Sequence, residues 1–305
     1  MAKVLIVGVA GGLGRMVARR LLERHEVVGV DRDSWTARPP GVPFYAVDIR
    51  KRAFEDVFRK EQPTAVVHLG FVRHFRARPE ERYDVNVRGT RRLLDHCQTY
   101  GVQQLVILSS GYVYGALHDS PYFMNELAPL SGSRNYPEIR DLVEVDTITG
   151  EYMWEHPEVR TVILRPVNTL GYYVQTAIGT YLSMRRVIVM TGFNPMLQFI
   201  HEEDLTEAIA LCIERELKGK FNVVGAGEVP LRTAIRETGG KPLSLPEPVA
   251  RPLIARLHQA GLFPFPAGAI DYIKFPCTLS GARFAEVTGF RPTFGLIETF
   301  RALRR

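Results

Sequence analysis

The stretch Lys3-Val-Leu-Ile-Val-Gly8-Val-Ala-Gly11-Gly12-Leu13-Gly14 decides the fold of this chain. A short apolar, β-branched run ends at a glycine, and a helical pattern opens within a few residues. Gly8 permits the tight turn, Gly11 lets a pyrophosphate approach the backbone, and Gly14 lets helix pack closely on strand. Gly12 and Leu13 open the helix, where free N–H groups and the positive dipole end favour an anion. Asp31 ends the next apolar run, 17 residues after Gly14. A glycine triplet alone is weak evidence, but strand, turn, helix and acid in this order predict a dinucleotide site.

Asp31 can accept hydrogen bonds from both adenosine ribose hydroxyls and would repel a 2′-phosphate, which favours NAD over NADP. Arg32 beside it can hold such a phosphate, so NADP stays as the alternative. Asp48 ends the third predicted strand and precedes Ile49, and the pair can meet an adenine edge and face. Asp48 reads equally well as a helix cap before Lys51.

Working outward, strands are expected at 3–8, 26–31, 43–48, 64–69, 104–110, 160–165 and 220–225, with helices such as 13–24, 51–60 and 79–100 between them. The first six strands are almost continuously apolar, as strands buried on both faces are. The alternation predicts an α/β fold with a Rossmann-type doubly wound parallel sheet. After Gly171 the pattern weakens. Residues 1–170 and about 199–225 are assigned to the NAD-binding domain. Residues 171–198 and 226–305 are assigned to a smaller substrate-binding domain at the carboxyl ends of the strands.

The chain has 305 residues and a formal net charge of +6. Its basic residues are scattered, and the run 73–82 contains acids and reads as a solvated face. Nucleic-acid binding is therefore not expected. No apolar run reaches the roughly 18 residues of a membrane span. The N-terminus enters a strand directly, without a signal-peptide pattern. Cys97, Cys212 and Cys277 are odd in number and not at ligand spacing, so a cytoplasmic protein with core thiols and no metal is expected.

On these motifs the chain resembles the extended short-chain dehydrogenase/reductases, specifically the NAD-dependent epimerase/dehydratase group that acts on nucleotide sugars. The resemblance covers nearly the whole chain. It rests on Gly8-x-x-Gly11-x-x-Gly14, Val66-Val-His-Leu-Gly70, Asn86-Val-Arg-Gly-Thr90 and Leu108-Ser-Ser-Gly-Tyr-Val-Tyr-Gly115. Leu164-Arg-Pro-Val-Asn168, Phe199-Ile-His-Glu-Glu-Asp204, Phe221-Asn-Val-Val-Gly225 and the closing stretch from Ser280 to Pro292 extend it. The resemblance implies that Leu69 and Gly70 line the cofactor and that Asn86 supports it. It implies that Pro166 and Val167 approach the nicotinamide and that Asn168 contacts a small-molecule substrate. It also implies a homodimer through the helices at 79–100 and after Pro137.

The catalytic question sits at Ser110, Tyr136 and Arg140. Ser110 is expected at the end of the fifth strand and Tyr136 follows 26 residues later, the usual distance in the family. With Pro137 as first helical residue, Arg140 falls one turn after Tyr136, where the family holds the lysine of Tyr-x-x-x-Lys. That lysine stabilises the phenolate and holds the nicotinamide ribose; arginine keeps the charge but is larger and forked. Just before Phe199, where the group often carries an arginine for the substrate's phosphates, this chain has Gln198. Arg185 and Arg186 either compensate or form a solvated pair. Tyr112, Tyr172 and Tyr173 are candidates for the substrate cleft, with aromatic packing as the plainer role for at least two. His68 reads as a core residue, and His201 and Asp204 as helix caps.

The leading expectation is thus an NAD-dependent epimerase/dehydratase-like oxidoreductase acting on a carbinol or carbonyl. The alternatives are an NADP-dependent carbonyl reductase on a non-sugar substrate, and a non-catalytic dinucleotide-binding sensor or scaffold.

Overall fold

A computed structural model describes residues 1–36, 38–72 and 77–303. Its strands are β1 (Lys3–Val7), β2 (Glu26–Asp31), β3 (Phe44–Ala46), β4 (Ala65–His68), β5 (Gln104–Leu108), β6 (Arg160–Pro166), β7 (Asn168–Leu170), β8 (Arg186–Met190), β9 (Met196–His201), β10 (Gly219–Val223), β11 (Glu228–Pro230) and β12 (Lys241–Leu245). Seven of them form one parallel sheet in the order β10-β6-β5-β4-β1-β2-β3. This is the doubly wound α/β fold expected from the alternation of apolar runs. The order reverses between β1 and β4, which opens a crevice at their carboxyl ends.

Period-two alternation explains why the sheet is buried on both faces. Val4, Ile6, Val67, Val106 and Leu164 point to one side, against Leu205 and Ile209. Leu5, Val7, Val66, Leu105 and Ile107 point to the other, against Phe54, Phe58, Leu93 and Val145. Each such side chain, fully buried, contributes about 1.5–3 kcal/mol. A further apolar cluster joins Leu182, Val187, Phe199, Ile254 and Ile273, and it includes Tyr136. β9 sits between β7 and β11 in a three-stranded sheet, and β8 pairs with β12. Leu279, Phe284 and Phe290 return to the core of the large sheet.

The helices needed below are α1 (Gly12–Leu21), α2 (Ala53–Glu61), α3 (Pro79–Tyr83), α4 (Gly89–Thr99), α5 (Gly132–Asn135), α6 (Arg140–Glu155), α7 (Ala177–Leu182) and α8 (Glu202–Glu214). The helix expected at 79–100 is not uniform: a π turn, Asp84–Arg88, separates α3 from α4. Such turns insert one residue and re-aim a side chain; here the turn carries the wholly buried Asn86.

Two expectations are corrected. Within the run 73–82, residues 73–76 lie outside the described ones, but Arg82 is not on a solvated face. It is buried and paired with Asp141 at 2.7 Å. Cys97 and Cys212 are core thiols, whereas Cys277 is only half-buried. Among the described residues no helix is long and apolar enough to cross a membrane, and no cluster of His, Cys, Asp or Glu suits a metal.

Candidate functional site

The glycine turn has the backbone geometry its spacing suggests. Gly8 has φ +88°, and a Cβ there would come within 2.6 Å of Gly70 N. A Cβ at Gly14 would strike Gly8 O, so helix α1 can pack on β1 only with glycine at this position. Over Gly11 the nearest atom to an added Cβ is Gly8 O at 3.4 Å, which leaves the approach open. The first α1 hydrogen bond runs from Arg15 N to Gly11 O. The N–H groups of Gly12, Leu13 and Gly14 therefore meet no acceptor among the described residues, and they carry the positive end of the helix dipole.

The crevice in front of this turn is lined by Gly8, Gly11, Asp31, Arg32, Asp48, Ile49, Leu69 and Gly70, with Phe71 and Val72. Asp31 is held by its neighbours: Oδ2 accepts from Ala10 N at 2.9 Å and Oδ1 from Asp33 N at 3.0 Å. Each oxygen keeps a lone pair for a ligand hydroxyl. Arg32 is largely exposed and lies 3.9 Å from Asp33. Asp48 does not cap α2. Its Oδ1 accepts from Arg50 N at 2.9 Å, and the carboxylate grips the Arg50 guanidinium, which holds its pKa below the usual range. Ile49 is buried against Gly89. Asn86 accepts from Val72 N at 2.8 Å, donates to Val72 O at 3.0 Å and donates to Asp141 Oδ2 at 2.5 Å. It thus supports the crevice by fixing the loop after β4.

At the carboxyl end of β5, the half-buried Ser110 accepts from Tyr112 N at 3.2 Å. Its own proton has no acceptor among the described residues. Tyr136 follows α5 with φ −130° and ψ 76°, outside helical space. Proline disfavours a helical residue before it, and Pro137 opens a 3-10 turn, Pro137–Ile139, instead of α6 itself. Arg140 is consequently the first residue of α6 and is exposed, with no side-chain hydrogen bond among the described residues. The expected single helical turn from Tyr136 to Arg140 does not form.

Tyr136 is only 2% exposed. Burial pushes its phenol well above the ordinary value, and Tyr112, Glu138 and Asp141 push the same way; among the described residues Arg82, on α3, is the leading cation that opposes them. No sequence spacing marks Arg82 for that role, because 54 residues separate it from Tyr136 (136 minus 82).

Tyr112 donates to Asn168 Oδ1 at 2.6 Å, and Asn168 donates to Gln198 O at 2.9 Å. Pro166 and Val167 are buried at the end of β6, where Pro166 O faces Gly111. Tyr172 and Tyr173 pack edge to face on each other and stay exposed, so of the three tyrosines only Tyr112 joins the interior aromatic cluster. Their loop crosses Gly12, where an added Cβ would strike Tyr173 O. Glu202, buried, holds this loop by accepting from the N–H groups of Tyr172, Tyr173 and Val174 at 2.9, 2.9 and 2.7 Å. Sequence reading missed Glu202 because its bond partners lie about thirty residues away.

His68 is a wholly buried core residue that meets Thr90 Oγ1 at 3.1 Å. His201 caps α8 by accepting from Glu203 N, whereas Asp204 accepts from Thr293 and Phe294 N and ties down the chain's final segment. Behind the site lies a buried pair that the sequence did not announce. Arg165 meets Asp146 through two bonds, at 2.6 and 2.9 Å. Ser109 donates to Asp146 at 2.6 Å, and Arg165 donates to Tyr114 OH at 2.7 Å.

A doubly wound parallel sheet with a glycine turn and a helix N-terminus at its switch point defines a Rossmann-type α/β protein. Residues 4–225 match the NAD dependent epimerase/dehydratase family, and the chain belongs to it. A UDP-glucose 4-epimerase of Erwinia amylovora is 30% identical over 191 residues, covering 58% of this chain and 56% of the relative. An uncharacterised protein of Mycobacterium tuberculosis is 24% identical over 97% of this chain and 82% of its own length. Among solved structures, the UDP-glucose 4-epimerase of Thermus thermophilus in complex with NAD superposes with a TM-score of 0.77 at 24% identity, over 99% of this chain and 97% of that one. A dTDP-glucose 4,6-dehydratase from Streptomyces venezuelae with NAD bound gives 0.78 at 20% identity, over 99% and 96%.

Proposed function

We propose that the chain binds NAD in the crevice between β1 and β4 and interconverts a carbinol and a carbonyl, with Ser110 and Tyr136 handling the proton. The residues present suit the cofactor: three N–H groups on α1 with no acceptor among the described residues, a clear approach over Gly11 and the anchored carboxylate of Asp31. When bound, the dinucleotide supplies the hydride acceptor for a carbinol carbon and, in reduced form, the hydride donor for a carbonyl. Ser110 holds the substrate oxygen with its uncommitted proton. Tyr136 donates a proton to that oxygen in reduction and takes it back in oxidation.

The observation that carries this reading is the enclosure of Tyr136, 2% exposed within an apolar cluster, where burial favours the neutral phenol. It favours the reducing direction. A group whose pKa is raised stays protonated as pH climbs, so NADH-driven reduction is expected to hold its rate up to about pH 10. Carbinol oxidation is expected to rise over the same range without a plateau. An oxidation optimum at about pH 7, in initial rates followed by the absorbance of NADH, would count against this assignment.

Asp31 supports NAD over NADP. Calorimetry is expected to show NAD binding at least about tenfold more tightly, the cost of setting a 2′-phosphate against a carboxylate. Tighter binding of NADP would shift the reading to a carbonyl reductase using that cofactor through Arg32.

The exposure of Arg140 favours a second reading, a dinucleotide-binding sensor or scaffold without turnover. The two are separated at this residue. Under the enzymatic reading, Arg140→Ala changes turnover by less than about threefold, the scale of a surface substitution. A silent wild type that binds NAD and gains turnover in Arg140→Lys would establish the second reading.

We also propose a homodimer through α4 and α6. Arg91 and Tyr83 reach Glu144 across this helical face, and Trp154 is exposed at the end of α6. Light scattering at micromolar concentration is expected to give the mass of two chains; the mass of one would refute it.

A further inference from the structure

Leu170 stands opposite His201 where β7 pairs with β9, so the strap at 171–174 leaves the sheet next to Glu202, the first residue of α8. Glu202 is buried, and its carboxylate meets the main chain of the strap from end to end. Oε1 accepts from Tyr172 N at 2.9 Å and from Tyr173 N at 3.2 Å; Oε2 accepts from Tyr173 N at 2.9 Å and from Val174 N at 2.7 Å. Bonds from N–H groups to a carboxylate are about twice as strong as neutral ones, and the start of α8 favours the same negative charge. Gly171 makes room for the carboxylate: an added Cβ there would fall 2.0 Å from Glu202 Cδ.

The other side of the strap rests on α1. An added Cβ at Gly12 would fall 2.0 Å from Tyr173 O and 2.6 Å from Tyr173 C, so the main chain of the strap lies directly on the first residue of that helix. The Tyr172 and Tyr173 rings are exposed, so side-chain burial contributes little to holding the strap, and the Glu202 bonds set its position. Thr176 fixes the end of the segment, where Oγ1 donates to Thr169 O at 3.1 Å. The start of α1 is where a doubly wound fold holds a pyrophosphate. The strap therefore stands at the entrance to that place.

We infer that Glu202 is a positioning residue of the cofactor site, which pins the strap on Gly12 and so slows the release of a bound dinucleotide. The inference rests on the NAD reading above. It is tested by the dissociation rate of NADH from the full-length protein, displaced by excess NAD and followed by nicotinamide fluorescence. Glu202→Gln keeps the size of the side chain, but its NH2 end must face at least one strap N–H whichever way the amide turns. It is expected to raise the dissociation rate at least about tenfold, the scale of one lost bond to a charged group. Glu202→Asp keeps the charge and both acceptors with a shorter reach, and gives the same direction if the glutamine variant folds poorly. Gly12→Ala lifts the strap from its other side. Since both changes act on one strap, the double variant is expected within about threefold of the larger single effect, whereas independent effects multiply. Thermal melting without dinucleotide identifies a purely structural role, which would lower the midpoint and leave the dissociation rate alone. Unchanged dissociation in both Glu202 variants, or rates that multiply in the double variant, overturns the inference and leaves the NAD reading standing. A wild type that binds neither NAD nor NADH overturns both.

Discussion

Asp146→Asn is expected to cost about 3–5 kcal/mol of folding stability, the range for breaking a buried ion pair from one side. Asp146 on α6 is 0% exposed, and Arg165 on β6 is 1% exposed. Burial disfavours the Arg165 charge, and the two bonds from Asp146 more than offset it. The pair is also the centre of a network. Tyr114 passes the contact on to Asn222 Oδ1 at 2.7 Å, and Asn222 donates to Met124 O at 3.0 Å. An asparagine keeps the shape but leaves the guanidinium without a counter-charge, where water cannot reach it. Against a total stability of about 5–15 kcal/mol, that loss leaves a marginal protein. Urea denaturation checks it: the midpoint falls while the slope is unchanged. A loss under about 1 kcal/mol would mean that solvent reaches Arg165. The effect extends to function, because Arg165 directly precedes Pro166 and Val167.

Tyr136→Phe is expected to lower turnover by about 10²–10⁴, the usual worth of a positioned acid or base. The ring stays, so its packing on Tyr272 and its place among Ile139, Leu142 and Ile270 survive. NAD affinity is expected to stay within about threefold, since the open N–H groups of α1 and Asp31 are untouched. The loss therefore falls on kcat, and calorimetry separates it from a binding defect. Full activity in Tyr136→Phe would remove the tyrosine from the chemistry and leave the fold as a dinucleotide binder. Loss of both affinity and turnover would indicate that the phenol holds the C-terminal segment in place.

The glycine turn and the acid of the candidate cofactor crevice were legible in the sequence because their determinants are local. Gly8, Gly11 and Gly14 fix a turn through backbone conformation alone, and Asp31 reaches that turn from the neighbouring strand, in register with β1. The strands were legible because both faces of each are apolar. Their ends moved by up to two residues, and the helix at 79–100 acquired a π turn, because inward-facing polar side chains such as Asn86 report only on tertiary partners. Asp48 is a related case: its bond to Arg50 is local, yet a cap and a turn share the same residue preferences.

The residues proposed to handle the proton were legible in type but not in geometry. Spacing set Tyr136 and Arg140 four residues apart, and a continuous helix would have stacked them. Pro137 turned that spacing into a 3-10 turn and left Arg140 exposed. By itself, then, the sequence determined the parallel sheet, the glycine turn at the helix start, the acid that reaches it and the family. Only the tertiary structure decided where Arg82 is buried, what the Gln198 amide holds, and how far Tyr136 is closed off. Those outcomes depend on contacts between residues far apart in the chain, such as Arg82 with Asp141 and Gln198 with Leu279. Burial and pairing are properties of such contacts, and no local spacing encodes them.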